Sequence, residues 1–108
     1  MLTSFTAGIY LVDFEYHPVN GVEGNSPDPV CMIVCNLKTG VVGRYFREQL
    51  KGMEVAPFDT GPNSLFVAYY APAELDCFIA LGWSLPINII DLYVEFRNNT
   101  NGLPLKHG

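Results

Sequence analysis

The sequence predicts an α/β fold, a mixed β-sheet with helices stacked on it. Three observations lead there. Four β-type runs come first, separated by Gly- and Pro-rich loops; the apolar spacing turns helical after Pro72; and a short apolar run then precedes a second helical segment. The order strand, strand, strand, strand, helix, strand, helix is that of a mixed sheet covered by helices.

The first strand spans about Ile9 to Tyr16 and enters His17 to Pro29, a stretch so rich in Gly, Pro, Asn and Asp that it reads as loop. Val30 to Leu37 and Val41 to Phe46 flank Lys38-Thr-Gly40 and read as a hairpin. Arg47 to Gly52 reads as one helical turn, Ala56 to Asn63 as a further Pro/Gly loop, and Ser64 to Tyr70 as the fourth strand. Pro72 suits the first turn of a helix, and Ala73, Leu75, Cys77, Phe78, Ile79 and Leu81 give it an apolar face up to Gly82. Pro86 to Ile90 is the fifth strand. Asp91 then caps a second helix, Leu92 to Arg97, and Trp83 is assigned to the core.

At 108 residues the chain is one domain at most, and its 49% hydrophobic, 16% charged composition is that of a folded protein. No stretch reaches the roughly 18 to 20 apolar residues of a membrane span. The best candidate, Cys77 to Ile90, is broken by Gly82, Ser84, Pro86 and Asn88. Met1 to Phe5 lacks the basic region of a signal peptide, so the expected location is cytoplasmic. Cys31 and Cys35 share a strand face but lie roughly 13 Å apart, too far for a disulfide, and with His17 and His107 they make no zinc set. The expectation is buried, reduced thiols. A net charge of −5 argues against a broad basic surface for nucleic acid, but not against grip through bound cations.

The most informative feature is Asp13 and Glu15 in the run Gly8-Ile-Tyr-Leu-Val-Asp-Phe-Glu-Tyr16. Positions two apart on a strand share a face, so two like charges stand together while Phe14 points into the other layer. Such a pair is unfavourable without a cation between them, and a divalent metal with oxygen ligands meets the need. Glu74 falls in the first turn of the predicted helix, where a carboxylate favours the positive end of the helix dipole. A glycosidase-type carboxylate pair is disfavoured, because such acids face each other across a substrate at roughly 5 Å or more.

Val12-Asp-Phe-Glu15 is similar to the first motif, Asp-x-Glu, of the DEDD 3′–5′ exonucleases, the ribonuclease H-like proofreading domains of DNA polymerases. Phe66-Val-Ala-Tyr-Tyr-Ala-Pro-Ala-Glu74 resembles the second motif, a strand end followed by an acid in the next helix, and Pro86-Ile-Asn-Ile-Ile-Asp91 resembles the strand and acid that follow. The run Ser64 to Glu74, with Ala80-Leu-Gly-Trp83 and Glu95 to Pro104, looks like the N-terminal region of bacterial and phage-like family A DNA polymerases. Departures are Tyr69-Tyr70 in place of His-Asn, Ala73 in place of an aromatic, Glu in place of Asp at position 74, and no late Tyr-x-x-x-Asp. Asp76 competes with Glu74 for the second-motif acid but would occupy a different helix face.

The resemblance implies a ribonuclease H-like mixed sheet, a three-stranded antiparallel start followed by parallel strands, with flanking helices. It implies a metal-dependent exonuclease of DNA replication that hydrolyses the terminal phosphodiester at a single-stranded DNA 3′ end. Asp13, Glu15 and Glu74 would be the catalytic, metal-binding acids for a two-metal Mg²⁺ or Mn²⁺ site, Asp91 a supporting acid, and Tyr69 and Tyr70 substrate-binding residues. Arg44, Arg47 and Lys51 are cations available to phosphate. Residues 1–98 would form a partial exonuclease domain, front part of a larger polymerase chain, and 99–108 an irregular polar tail. The alternative is a noncatalytic ribonuclease H-like scaffold or protein-interaction module.

Overall fold

The computed structural model describes residues 4–18 and 26–100. Part of the loop predicted after His17, most of the predicted tail and His107 lie outside the described residues. Five strands, β1 (Gly8–His17), β2 (Asp28–Asn36), β3 (Val42–Phe46), β4 (Ser64–Ala68) and β5 (Ile89–Asp91), form one sheet in the order β3-β2-β1-β4-β5. The helices are α1 (Arg47–Lys51), α2 (Ala71–Leu81) and α3 (Leu92–Thr100). β1, β2 and β3 run antiparallel, whereas β4 lies parallel to β1 and β5 parallel to β4, so the sheet is mixed as expected.

Local chemistry accounts for the connections. Gly40 takes a left-handed φ of 79° in the β2–β3 turn, where its N–H reaches the Asn36 carbonyl at 2.7 Å. Parallel β4 and β5 need a crossover, which α2 supplies, and α2 stops at Gly82, left-handed with φ 78°.

Strand alternation sorts β1 into two faces. Val12 and Phe14 join Met32, Val34, Phe66, Ala68, Leu50 and Trp83 in a core that α2 covers with Ala71, Cys77 and Phe78. Phe78 is 0% exposed and meets Phe66, Trp83, Phe14 and Phe58 edge-on at ring distances of 5.1 to 6.2 Å. Trp83 is core as expected, and its indole N–H donates to the Met53 carbonyl at 3.1 Å. On the opposite face Ile9, Leu65 and Val67 make a smaller cluster with Phe5 and Ile90, while Leu11, Ile33, Val42 and Phe46 are exposed.

Several expectations need correction. β4 ends at Ala68, two residues early, because Tyr70 turns left-handed at φ 61° and starts α2. β5 is Ile89–Asp91 and not Pro86 to Ile90; Pro86 has no N–H to give a ladder, and the Ile87 N–H goes to the Thr60 carbonyl instead. Ile79 is 59% exposed, and Glu74 takes a place on the buried face of α2. α3 continues to Thr100, past Arg97, where the sequence reading ended it. Cys77 is buried, its thiol pushed up to about 12 by burial and by the charges of Glu74 and Asp76, but Cys31 and Cys35 are only half-buried. No helix among the described residues is long and apolar enough to cross a membrane.

Candidate functional site

β1 delivers Asp13 and Glu15 as its alternation dictates. Both are exposed and flank buried Phe14, on the sheet face away from α2. Cross-strand register sets Asp13 in a row with Ile33 and Arg44, and Glu15 in a row with Cys31 and Phe46. The two acids therefore share a side, as the sequence indicated.

Glu74 reaches the same strand from behind. Pairing of β1 with β4 stops at Leu11↔Val67, because β4 leaves the sheet at Ala68. The Phe14 N–H, which a longer β4 would have met, instead donates to Glu74 Oε1 at 3.3 Å. Glu74 is 4% exposed. Burial pushes its carboxyl up to about 7; the Phe14 N–H holds it back, and the charges of Asp13 and Asp91 add to the rise. Asp76, two residues on, is exposed, which favours Glu74 as the acid that α2 offers to the sheet.

Asp91 sits at the end of β5 and binds backbone. Its Oδ1 accepts the N–H groups of Tyr70 and Tyr93, both at 2.9 Å, and its Oδ2 accepts that of Ala71 at 3.0 Å. One carboxylate thus fixes the start of α2 and the start of α3, the capping role its sequence position suggested. Tyr69 and Tyr70 are 60% and 51% exposed, and each meets the Tyr93 ring edge-on at 5.6 Å. The Arg97 guanidinium lies 5.7 Å from the centre of the Tyr93 ring, and its Nη1 donates to the Tyr93 hydroxyl at 2.9 Å. Sequence reading passed over Tyr93 and Arg97, although their i, i+4 spacing on a helix was a usable signal.

Glu74 therefore stands within electrostatic reach of both Asp13 and Asp91 near the C-terminal ends of the parallel strands, where open α/β sheets hold their ligands. The carboxylate oxygens are donors of the type a hard divalent cation takes, and such an ion would offset the repulsion from Asp13 and Asp91 that adds to the effect of burial on Glu74. Among the described residues no three Asp, Glu, His or Cys side chains converge on one ligand position, and Glu15 is not among the charges that raise Glu74. Arg47 and Lys51 pair with Asp28 at 2.9 and 3.9 Å, and Arg44 is exposed on the open face. Two clefts of about 300 and 340 Å³, one beside Tyr10 and Phe58 and one beside Pro27, Asp28 and Leu81, are lined by none of Asp13, Glu15, Glu74 and Asp91.

No family model, no curated protein and no solved structure matches the chain, so its fold and its site rest on its own residues.

Proposed function

We propose that the chain is a ribonuclease H-like module of the DEDD type, a metal-dependent 3′–5′ exonuclease of a family A DNA polymerase that acts on single-stranded DNA ends in the cytoplasm. The observation that carries this reading is Glu74, a carboxyl brought from α2 to the back of β1 and raised chiefly by its burial, with the charge of Asp13 adding to the rise. The strand order β3-β2-β1-β4-β5, with an antiparallel start and parallel β4 and β5, supports the finer fold assignment.

In this reading Asp13, Glu15 and Glu74 hold Mg²⁺ or Mn²⁺. Bound there, the ions would supply a nucleophilic water at neutral pH and positive charge for the leaving oxygen of a phosphodiester. Asp91 fixes the helix start from which Glu74 projects. Calorimetric titration of the chain with Mn²⁺ tests the reading. Wild type should bind in the millimolar range or tighter, and Asp13→Asn should weaken binding by at least about tenfold. Absence of binding by wild type at those concentrations contradicts the nuclease reading.

A noncatalytic ribonuclease H-like scaffold is the second reading, favoured by one observation: Glu74 and Asp91 are already engaged by backbone N–H groups. It expects Glu15→Ala to leave divalent binding unchanged, whereas the nuclease reading expects a loss.

A further inference from the structure

The face of β1, β2 and β3 turned away from α2 is open. An antiparallel sheet that faces water is polar on that side, yet Leu11, Ile33, Val42 and Phe46 stand there as large, apolar, exposed side chains. Cross-strand register sets Asp13, Ile33 and Arg44 in the middle row of this face. Leu11 and Val42 end the row on one side of it, and Glu15 and Phe46 the row on the other. We infer that this face is the contact of a symmetric homodimer, in which a second copy stacks sheet on sheet and brings its Arg44 against Asp13.

The charges select both the occupant and its orientation. Asp13 and Arg44 flank Ile33 two strands apart, about 10 Å, and among the described residues neither belongs to an ion pair. Arg47 and Lys51 are already taken by Asp28. A two-fold axis running along β2 at Ile33 exchanges the flanking strands, so Asp13 of each copy comes opposite Arg44 of the other. Two ion pairs then form at once, Leu11 meets Val42 twice and Ile33 meets itself, which is the self-complementarity of an isologous interface. An axis across the strands would instead set Asp13 against Asp13 and Arg44 against Arg44. Stacked sheets lie about 10 Å apart, a gap that an arginine and an aspartate side chain span together. Glu15 is the next residue on the same face as Asp13, so the guanidinium also answers the repulsion within that acid pair.

The open patch is three strands wide and about 15 Å in each direction, less than the roughly 800 Å² per partner of a standard interface. The dimer is accordingly weak and depends on concentration. A second copy and a divalent cation are competing partners for Asp13, so the inference goes beyond the nuclease reading and does not rest on it.

The test is sedimentation equilibrium of the full chain from micromolar to millimolar concentration, in EDTA and a reductant, with amide NMR over the same range. The average mass should rise from that of the monomer toward that of the dimer, with concentration-dependent shifts at Leu11, Asp13, Ile33, Val42 and Arg44. Arg44→Asp and Asp13→Arg should each weaken association by at least about tenfold, because each variant places two like-charged pairs in the interface. An equimolar mixture of the two variants should associate about as tightly as wild type, since every pair between positions 13 and 44 is again opposite in charge; recovery in the mixture also shows that both variants are folded. The inference is overturned if wild type stays monomeric at millimolar concentration, if the shifts fall on the exposed side chains of α3 instead, or if the mixture associates no more tightly than either variant alone. Because EDTA removes divalent ions, failure here leaves the Mn²⁺ titration of the acids unaffected, and failure of that titration leaves this result standing.

Discussion

Glu74 Oε1 accepts the backbone N–H of Phe14 at 3.3 Å, a bond across 60 residues that joins the first turn of α2 to β1. It satisfies a donor that β4 abandons when the chain turns at Tyr70. The same bond brings a buried carboxyl beside Asp13, the acid next to Phe14 on β1, and so links the way the sheet ends to the chemistry of the site.

Stability should fall as pH rises through the range from about 4.5 to about 7, because the Glu74 carboxyl is raised in the folded chain. Over that range the folded state binds more protons than the unfolded one, so the slope of unfolding free energy against pH is negative. At about 1.4 kcal/mol per unit the loss is on the order of 3 kcal/mol at most. Glu74→Gln keeps an acceptor for the Phe14 N–H and removes the charge. It should flatten this dependence and be more stable than wild type at pH 8, as urea denaturation at pH 5 and pH 8 would measure; a less stable Glu74→Gln at pH 8 would refute the assignment.

Asp91→Ala should cost about 2 kcal/mol, since it strips the acceptor from three backbone N–H groups at the starts of two helices. The loss would be read as a lower urea midpoint at unchanged slope. A midpoint within experimental error of wild type would mean that the two helix starts are held by something else.

Phe78→Ala should cost about 3 to 5 kcal/mol, the range for removing a fully buried aromatic ring. Its ring is the common neighbour of Phe14, Phe58, Phe66 and Trp83, so a cavity there opens the core at its centre. Trp83 fluorescence during denaturation reports it directly, and a cost below about 1 kcal/mol would place the core elsewhere.

Much of the fold was legible wherever local chemistry punctuates the chain. Gly40 and Gly82 mark a turn and a helix end through left-handed backbone, and the alternation Val12, Asp13, Phe14, Glu15 reads directly as buried and exposed. Illegible were the features set by distant partners. Glu74 is buried and Ile79 exposed because α2 is oriented by β1, β2 and β4, and no period within the helix encodes which of its sides they meet. The early end of β4 turns on an unfavourable Tyr70 conformation held by Asp91, 21 residues away. At the site, Asp13, Glu15 and Glu74 were readable as residue types at motif spacing, but the gathering of Tyr69, Tyr70 and Tyr93 needed the β4–β5 register and the shared cap.

The most direct test of the claim that Glu74 and Asp13 share a cation is a ¹³C NMR pH titration of the Glu74 carboxyl with and without Mg²⁺. Without the ion the group should titrate near pH 7; with millimolar Mg²⁺ it should titrate at least about one unit lower, because a bound cation favours the carboxylate. A titration curve that Mg²⁺ leaves in place would contradict the account.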